Sequence, residues 1–245
     1  MMELLPGVEV LCPYPALYLR EHSAVVVADA HLGYEGMLVE RGVFIPRTQL
    51  RKQLEVLSEL AEMVDAGMLV VNGDLKHEFG GLSYTEMSEV REFLEAATRL
   101  FGRVCVVRGN HDNFVAGTLA RMGAELVEEL VLGSFLLFHG HRMPSRSAEV
   151  MVLGHEHPAL ALYDEVGAKE KVRCFLHGSI GECYVIVLPA FSPLASGSEV
   201  NQVPQTELLS PYLRSIPVDA LNVLGVSREA GCLRFPALGV MRRFG

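Results

Sequence analysis

Three unbroken apolar runs, Ala24-Val25-Val26-Val27-Ala28, Met68-Leu69-Val70-Val71 and Val104-Cys105-Val106-Val107, constrain the fold of this chain more than any other feature. A strand wetted on one face alternates apolar and polar residues, so continuous runs rich in β-branched side chains predict strands buried on both faces. Between the runs lie stretches of helical period. Residues 47–66 place Leu50, Leu54, Leu57, Leu60, Ala61 and Val64 on one side, with Glu55, Glu59 and Glu62 on the other as a solvated face. Residues 84–100 carry Met87, Val90, Leu94 and Ala97 as an apolar stripe, and a third helix is expected over 113–122. Strand alternating with helix predicts an α/β layered domain whose sites lie beyond the carboxyl ends of the strands.

Each run stops at polar residues of metal-binding type. The first ends at Asp29-Ala30-His31, where alternate side chains of an extended segment share a face. The second ends at Asn72-Gly73-Asp74 and the third at Gly109-Asn110-His111-Asp112, where glycine permits the sharp turn. After residue 124 shorter strands follow with few helices. Residues 126–132 and 134–138 read as a hairpin turning at Gly133, and its second arm ends at His139-Gly140-His141. A strand at 150–153 ends at Gly154-His155-Glu156-His157-Pro158. Strands near 159–162, 171–176 and 183–188 extend this second sheet, giving two sheets face to face with helices outside. Residues 8–28 are strand-rich, and the segment with Gly33, Gly36, Gly42 and Pro46 reads as a loop. From about 190 to Thr206 a loop rich in Ser, Pro, Gly, Asn and Gln is expected, either a surface excursion or a flap over the site; 207–245 adds a last strand or two.

Any one of these strand ends is most simply a helix cap or a turn. Together Asp29, His31, Asp74, Asn110, His139, His155 and His157, with His111 beside them, give seven oxygen or imidazole donors at five strand ends. That is enough for two divalent cations sharing one carboxylate.

The 245 residues, 50% hydrophobic and 21% charged, suit one sizeable domain, 1–245, with a loop-rich part from about 190. A net charge of −9 disfavours affinity built on a broad basic face, although bound cations would offset part of it. Five scattered cysteines, Cys12, Cys105, Cys174, Cys183 and Cys232, suit free thiols in a reducing cytosol. Neither a secretory signal nor a membrane-spanning run is read, so a soluble cytoplasmic protein is expected.

The blocks D-x-H, G-D, G-N-H-D, H-G and G-H-x-H, in that order from Asp29 to His157, resemble the calcineurin-like metallophosphoesterase superfamily. Asp29-Ala30-His31-Leu32-Gly33, Gly73-Asp74-Leu75-Lys76-His77, Gly154 to Pro158 and Leu188-Pro189-Ala190-Phe191 resemble its branch of phosphoesterases related to SbcD-type and DNA-ligase-associated enzymes. The resemblance implies a four-layer sandwich of two mixed β-sheets flanked by helices. It also implies that Asp29, His31 and His157 hold one metal, that Asn110, His139 and His155 hold the other, and that Asp74 bridges them. His111 is similar to the family histidine that approaches the scissile phosphate without binding metal. His141 is a candidate supporting group, and Asp112 is expected to orient the turn or His111. His77 and Arg142, with Arg146, are candidates for lining the site or contacting phosphate.

The implied activity is hydrolysis of a phosphodiester, of nucleic acid such as single-stranded DNA, by in-line attack of a hydroxide bridging two metals. Ligand chemistry leaves Mn, Fe, Zn, Ni and Mg open, and the resemblance favours manganese. It further suggests a homodimer and DNA-repair partners, and no membrane. Two other readings stand beside it: a phosphodiesterase or phosphatase acting on small nucleotides, which the acidic charge favours, and a catalytically inactive metal-holding scaffold, which the complete donor set disfavours.

Overall fold

The computed structural model describes residues 1–80 and 83–243; Phe244 and Gly245, at the end of the expected domain, lie outside the described residues. The first sheet contains β1 (Met2–Leu5), β2 (Val8–Val10), β3 (Leu17–Leu19), β4 (Ala24–Val27), β5 (Met68–Asn72), β6 (Arg103–Val107) and β7 (Glu125–Val127) in that spatial order. Strands β1 to β4 form an antiparallel meander, and β4 to β7 run parallel, with Val27 opposite Val71 and Asn72 opposite Val107. The second sheet is built from β8 (Leu130–Leu132), β9 (Phe135–Phe138), β10 (Val150–Leu153), β11 (Pro158–Tyr163), β12 (Lys169–Ile180), β13 (Cys183–Val187) and β14 (Ser198–Glu199), in the order β14-β11-β12-β13-β10-β9-β8. There β9, β10 and β13 are parallel, and β15 (Asn222–Ser227) and β16 (Gly231–Ala237) extend the sheet from β12.

Alternation along the central strands explains their unbroken apolar character. On β4, β5 and β6, Val25, Val27, Leu69, Val71, Val104 and Val106 pack under helices, while Ala24, Val26, Met68, Val70, Cys105 and Val107 face the second sheet. The helical layer consists of α1 (Tyr34–Glu40), α2 (Gln49–Met63), α3 (Tyr84–Phe101) and α4 (Ala116–Arg121). Phe135, Leu137, Val150, Val152, Phe175 and Ile186 complete the core between the sheets. On the far side, Leu136, Met151, Leu176 and Val185 are covered by Leu208, Leu213, Val218, Leu221 and Leu238, from a segment carrying α5 (Pro211–Ser215) and α6 (Leu238–Met241). The architecture is the expected four-layer α/β sandwich. No helix among the described residues is long and apolar enough to cross a membrane.

Several local expectations are corrected. Residues 34–40, read as loop, form α1, and its buried Glu35 carboxylate accepts the Thr48 and Gln49 backbone N–H groups at the start of α2. The buried face of α2 is Gln49, Gln53, Leu57 and Leu60, with Leu50 and Leu54 only partly covered. The stretch 126–132 is two strands: β7 pairs with β6 in the first sheet, β8 pairs with β9 in the second, and Glu128-Glu129 carries the chain across. Cys12 and Cys232 are joined in a disulfide with their Cα atoms 5.7 Å apart, so only Cys105, Cys174 and Cys183 are free. A separation of 220 residues leaves no spacing from which this pair can be read. The loop after 190 is packed, not a surface excursion: Phe191, Ser192, Val200 and Asn201 are buried.

Candidate metal centre

Parallel pairing brings the carboxyl ends of β4, β5 and β6 side by side, and β9 and β10 end opposite them. Asn72, fully buried at the end of β5, donates from Nδ2 to the carbonyls of Phe138 and Val152, each at 3.2 Å, and so ties the two sheets directly beneath the site. The pairing of β4 with β5 continues past their ends, the Asp29 N–H donating to Gly73 O and the His31 N–H to Asp74 O.

The seven expected donors and His111 converge here. Asp29, His31 and His157 present donor atoms within 4.8 Å of one another, and Asp74, His139 and His155 do the same. Asn110 Oδ1 joins the second group, 3.2 Å from His139 Nε2. Asp74 Oδ2 lies between the groups, 3.3 Å from His139 Nε2 and 4.0 Å from His31 Nε2. Its other oxygen, Oδ1, accepts the His111 backbone N–H at 2.9 Å. Asp29 is held by the His155 backbone N–H, at 3.0 Å from Oδ2.

Five of these residues have left-handed backbones: Asp29 (φ 59°), His31 (46°), Asp74 (50°), His155 (65°) and His157 (49°). Non-glycine residues in that region cost on the order of 1 kcal/mol each and persist where surrounding structure enforces them. Their clustering at one edge marks a functional site. Two glycines are required by close approach. A Cβ on Gly73 would overlap the His139 ring, and one on Gly109 would overlap the Asp74 carboxylate.

Electrostatics suit cation binding. Burial opposes the charge on Asp74, yet the His139, His31 and His111 imidazoles outweigh it and hold the carboxyl below the usual carboxylate range. Asp29 is lowered in the same way, chiefly by His157 against the cost of burial. Burial pushes His31 down to about 3 and His155 to about 4, leaving neutral rings with a lone pair to offer. His139 is raised to about 9, since the Asp74 and Asp29 carboxylates overcome its burial. The donor set also fits metal by geometry. His31 Nε2 and His157 Nε2 face each other at 3.3 Å, with Asp29 Oδ1 3.1 Å from the latter. A divalent cation would take all three donor atoms at once and so relieve the close approach of the two imidazole nitrogens.

The supporting candidates divide. Asp112 orients the turn and not the His111 ring: its buried carboxylate accepts the backbone N–H groups of Gly109 at 2.8 Å and Leu75 at 2.9 Å. The His111 ring is instead fixed by the His77 carbonyl, which meets Nδ1, while its Nε2 lies 3.8 Å from Asp74 Oδ2. The His77 ring does line the mouth, 5.3 Å from His31 and 4.1 Å from Tyr34. His141 sits behind the donors, 5.3 Å from the His139 ring. Arg142 is engaged elsewhere, pairing with Glu128 at 2.5 Å, and Arg108 reaches the same carboxylate. Arg146 lines a separate surface hollow with Arg142.

Residues not singled out from sequence also shape the centre. His139 Nδ1 meets the Asn72 carbonyl at 3.1 Å, which fixes the proton there and turns Nε2 toward Asp74. Gln49 Nε2 donates to the carbonyls of Ala30 and His31 and to Ser192 Oγ, and Gln53 Nε2 donates to Ala30 O. The available signal was two glutamines four residues apart, continuing the Leu57 and Leu60 face of α2. Ala195, Ser196, Gly197 and Ser198 wall the mouth beside His31, His77, His111 and His157, so the loop after 190 borders the site.

The two-sheet sandwich and its strand-end donors define a metal-dependent phosphoesterase. The chain belongs to the calcineurin-like phosphoesterase family, whose model matches residues 22–177. No curated protein matches it. Among solved structures it is similar to the Pseudomonas putida nuclease MPE, with a TM-score of 0.64 and 22% identity over 90% of this chain and 92% of that one. It is also similar to Yfce, a phosphoesterase from E. coli, with a TM-score of 0.40 and 18% identity over 84% of this chain and 88% of the other.

Proposed function

We propose that this protein hydrolyses phosphodiester bonds of nucleic acid at a centre of two divalent cations, manganese being the favoured metal. The observation that carries the reading is Asp74, whose Oδ2 lies between the two donor groups. Asp29, His31 and His157 would hold one cation, Asn110, His139 and His155 would hold the other, and Asp74 would serve both. Bound there, such cations would supply Lewis-acid polarisation of the phosphoryl oxygens, a more acidic water as nucleophile and positive charge to stabilise an in-line displacement. In this reading residues 1–245 act as one domain, because the donors come from both sheets.

The chain's own groups then have distinct tasks. Asn72 O and the His155 N–H hold His139 and Asp29 in orientation. The His77 carbonyl keeps a proton on His111 Nδ1, so the imidazolium form presents a second, transferable proton from Nε2 to the leaving oxygen. Tyr34 packs on His77, and Phe79 packs on His111 with ring centroids 3.7 Å apart. Aromatic faces at the mouth suit a substrate that carries bases. The smallness of that mouth, about 300 Å³, favours the second reading, a small-nucleotide phosphodiesterase.

Metal-stripped protein given Mn should be assayed in parallel on single-stranded DNA and a cyclic nucleotide, with Asp74→Ala as the control. DNA cleavage that the substitution abolishes is expected. Turnover of the cyclic nucleotide alone would refute nucleic acid as substrate and leave the centre in place.

A further inference from the structure

Behind the Ala28–His31 segment, where Gln53 and Phe191 meet its backbone, lies a second cavity of about 470 Å³. Its walls carry four cations, Arg51, Lys52, Arg173 and Arg228, against one carboxylate, Glu55, in a chain of net charge −9. Two of the cations are paired, Arg51 with Glu55 and Arg228 with Glu59, each at 2.9 Å. Among the described residues Lys52 and Arg173 have no ion-pair partner. Lys52 is exposed on α2, whereas Arg173 stands on β12 with its guanidinium largely covered.

Arg173 Nη1 donates to the carbonyls of Ala190 and Ser192 at 3.3 and 3.4 Å, both long, and its other N–H groups have no protein acceptor among the described residues. Burial and the neighbouring Arg228 charge both work against its protonated form. The remaining donors of Arg173 open onto the cavity, beside the unpaired ammonium of Lys52. The Tyr14 ring lies 5.4 Å beneath the Arg228 guanidinium and supplies a flat wall. Phe191 and Pro193 line this cavity, while residues 195–198 of the same loop wall the mouth of the metal centre.

We propose that this cavity is a second anion site, in which Arg173 and Lys52 bind the phosphate of a nucleotide unit lying beyond the loop from the metal centre. Guanidinium forks and a neighbouring ammonium match phosphate oxygens, and a mostly covered arginine gains from the charge compensation. Assignment of the phosphate to a nucleotide rests on the nucleic-acid reading above; the anion chemistry does not.

The test is binding of fluorescent (dT)10 and of 5′-dTMP to the full chain with EDTA present, so that no metal-held phosphate contributes, across a salt series. Lys52→Glu, at an exposed helix position, should weaken (dT)10 binding at least tenfold. Lys52→Ala should reduce the slope of log K against log salt by about 0.7, the value for one phosphate contact on a single strand. Arg173→Gln provides a second, independent variant, with circular dichroism reporting its folding. Tighter binding of (dT)10 than of dTMP identifies a strand as the ligand, and equal binding identifies the free nucleotide; either supports the site if it depends on Lys52. Binding within twofold of wild type in both Lys52→Glu and Arg173→Gln, or no binding by wild type, overturns it. Lys52-dependent binding without DNA cleavage by Mn-loaded wild type refutes the nuclease reading and leaves the anion site standing. Cleavage with Lys52-independent binding does the reverse.

Discussion

Asn72 is the residue whose replacement tests the geometry most sharply, because it touches no substrate yet joins both sheets under the site. Its Nδ2 makes two buried hydrogen bonds, to Phe138 O and Val152 O, and each is worth about 1 kcal/mol net. Truncation to Ala also leaves a small cavity, adding about 1 to 2 kcal/mol. Against this, Asn72 Oδ1 is buried without a partner, and its removal returns about 1 kcal/mol. The balance is a loss of about 2 to 3 kcal/mol for Asn72→Ala. Urea unfolding of the chelator-treated protein measures it. The substitution keeps the main-chain carbonyl of residue 72 that meets His139 Nδ1 but releases Phe138, the residue before His139, so metal at the Asn110, His139 and His155 group should bind more weakly than in wild type. Asn72→Asp should be no better at neutral pH, where two carbonyls face a carboxylate, and should recover partly in acid when the carboxyl can donate. A stability loss below about 0.5 kcal/mol in the Ala variant, or an Asp variant equal to wild type at pH 7, would refute the assigned roles.

Four further outcomes are expected. His111→Ala should keep its metal by elemental analysis and lose about 10²- to 10⁴-fold in turnover, most for substrates with poor leaving groups; an emptied site contradicts the role. Asp112→Ala leaves the Gly109 and Leu75 N–H groups without their acceptor, so it should cost about 2 to 3 kcal/mol by thermal denaturation. Adding Mn at about 100 times its Kd to chelated protein should raise stability by about 2.7 kcal/mol, read from the unfolding midpoint; an unmoved midpoint means that the centre does not bind it. His177, whose Nδ1 lies 2.8 Å from the Tyr184 hydroxyl, is pushed by burial and by Arg234 from about 6.5 down to about 4. The unfolded chain therefore binds its proton first, and stability falls as pH drops from 6.5 toward 4. His177→Gln should flatten that part of the urea-midpoint profile, and an unchanged slope rejects the assignment.

The strands and the donor residues were legible because each obeys a local rule. Val25 and Val26 face different layers, both apolar, so β4 appears as an unbroken run, and a run with two buried faces must end where polar residues begin. What escaped depended on distant partners. The α1 helix buries Glu35 to cap another helix, which reverses the usual polarity of a buried face. Glu128 and Glu129 sit inside an apolar stretch, and only the two-sheet arrangement makes them a crossing between β7 and β8. Arg142 looks available beside the His139 block, but Glu128 occupies it. The bond between Cys12 and Cys232 depends on where β16 docks, a property of the finished fold.

The donors are divided between the sheets: Asp29, His31, Asp74 and Asn110 follow strands of the first, and His139, His155 and His157 follow strands of the second. Ions seated there would act as rivets through the middle of a laminate whose layers are otherwise held by side-chain packing, by the Asn72 tie, by the bond from the His155 N–H to Asp29 and, at one margin, by the Cys12–Cys232 disulfide. Pulled apart with the Cys12–Cys232 disulfide reduced, a metal-loaded molecule should yield at its margins, the β1–β2 hairpin or the β15–β16 pair, well before its central strands part. In a chelated one the fracture plane shifts to the seam between the sheets.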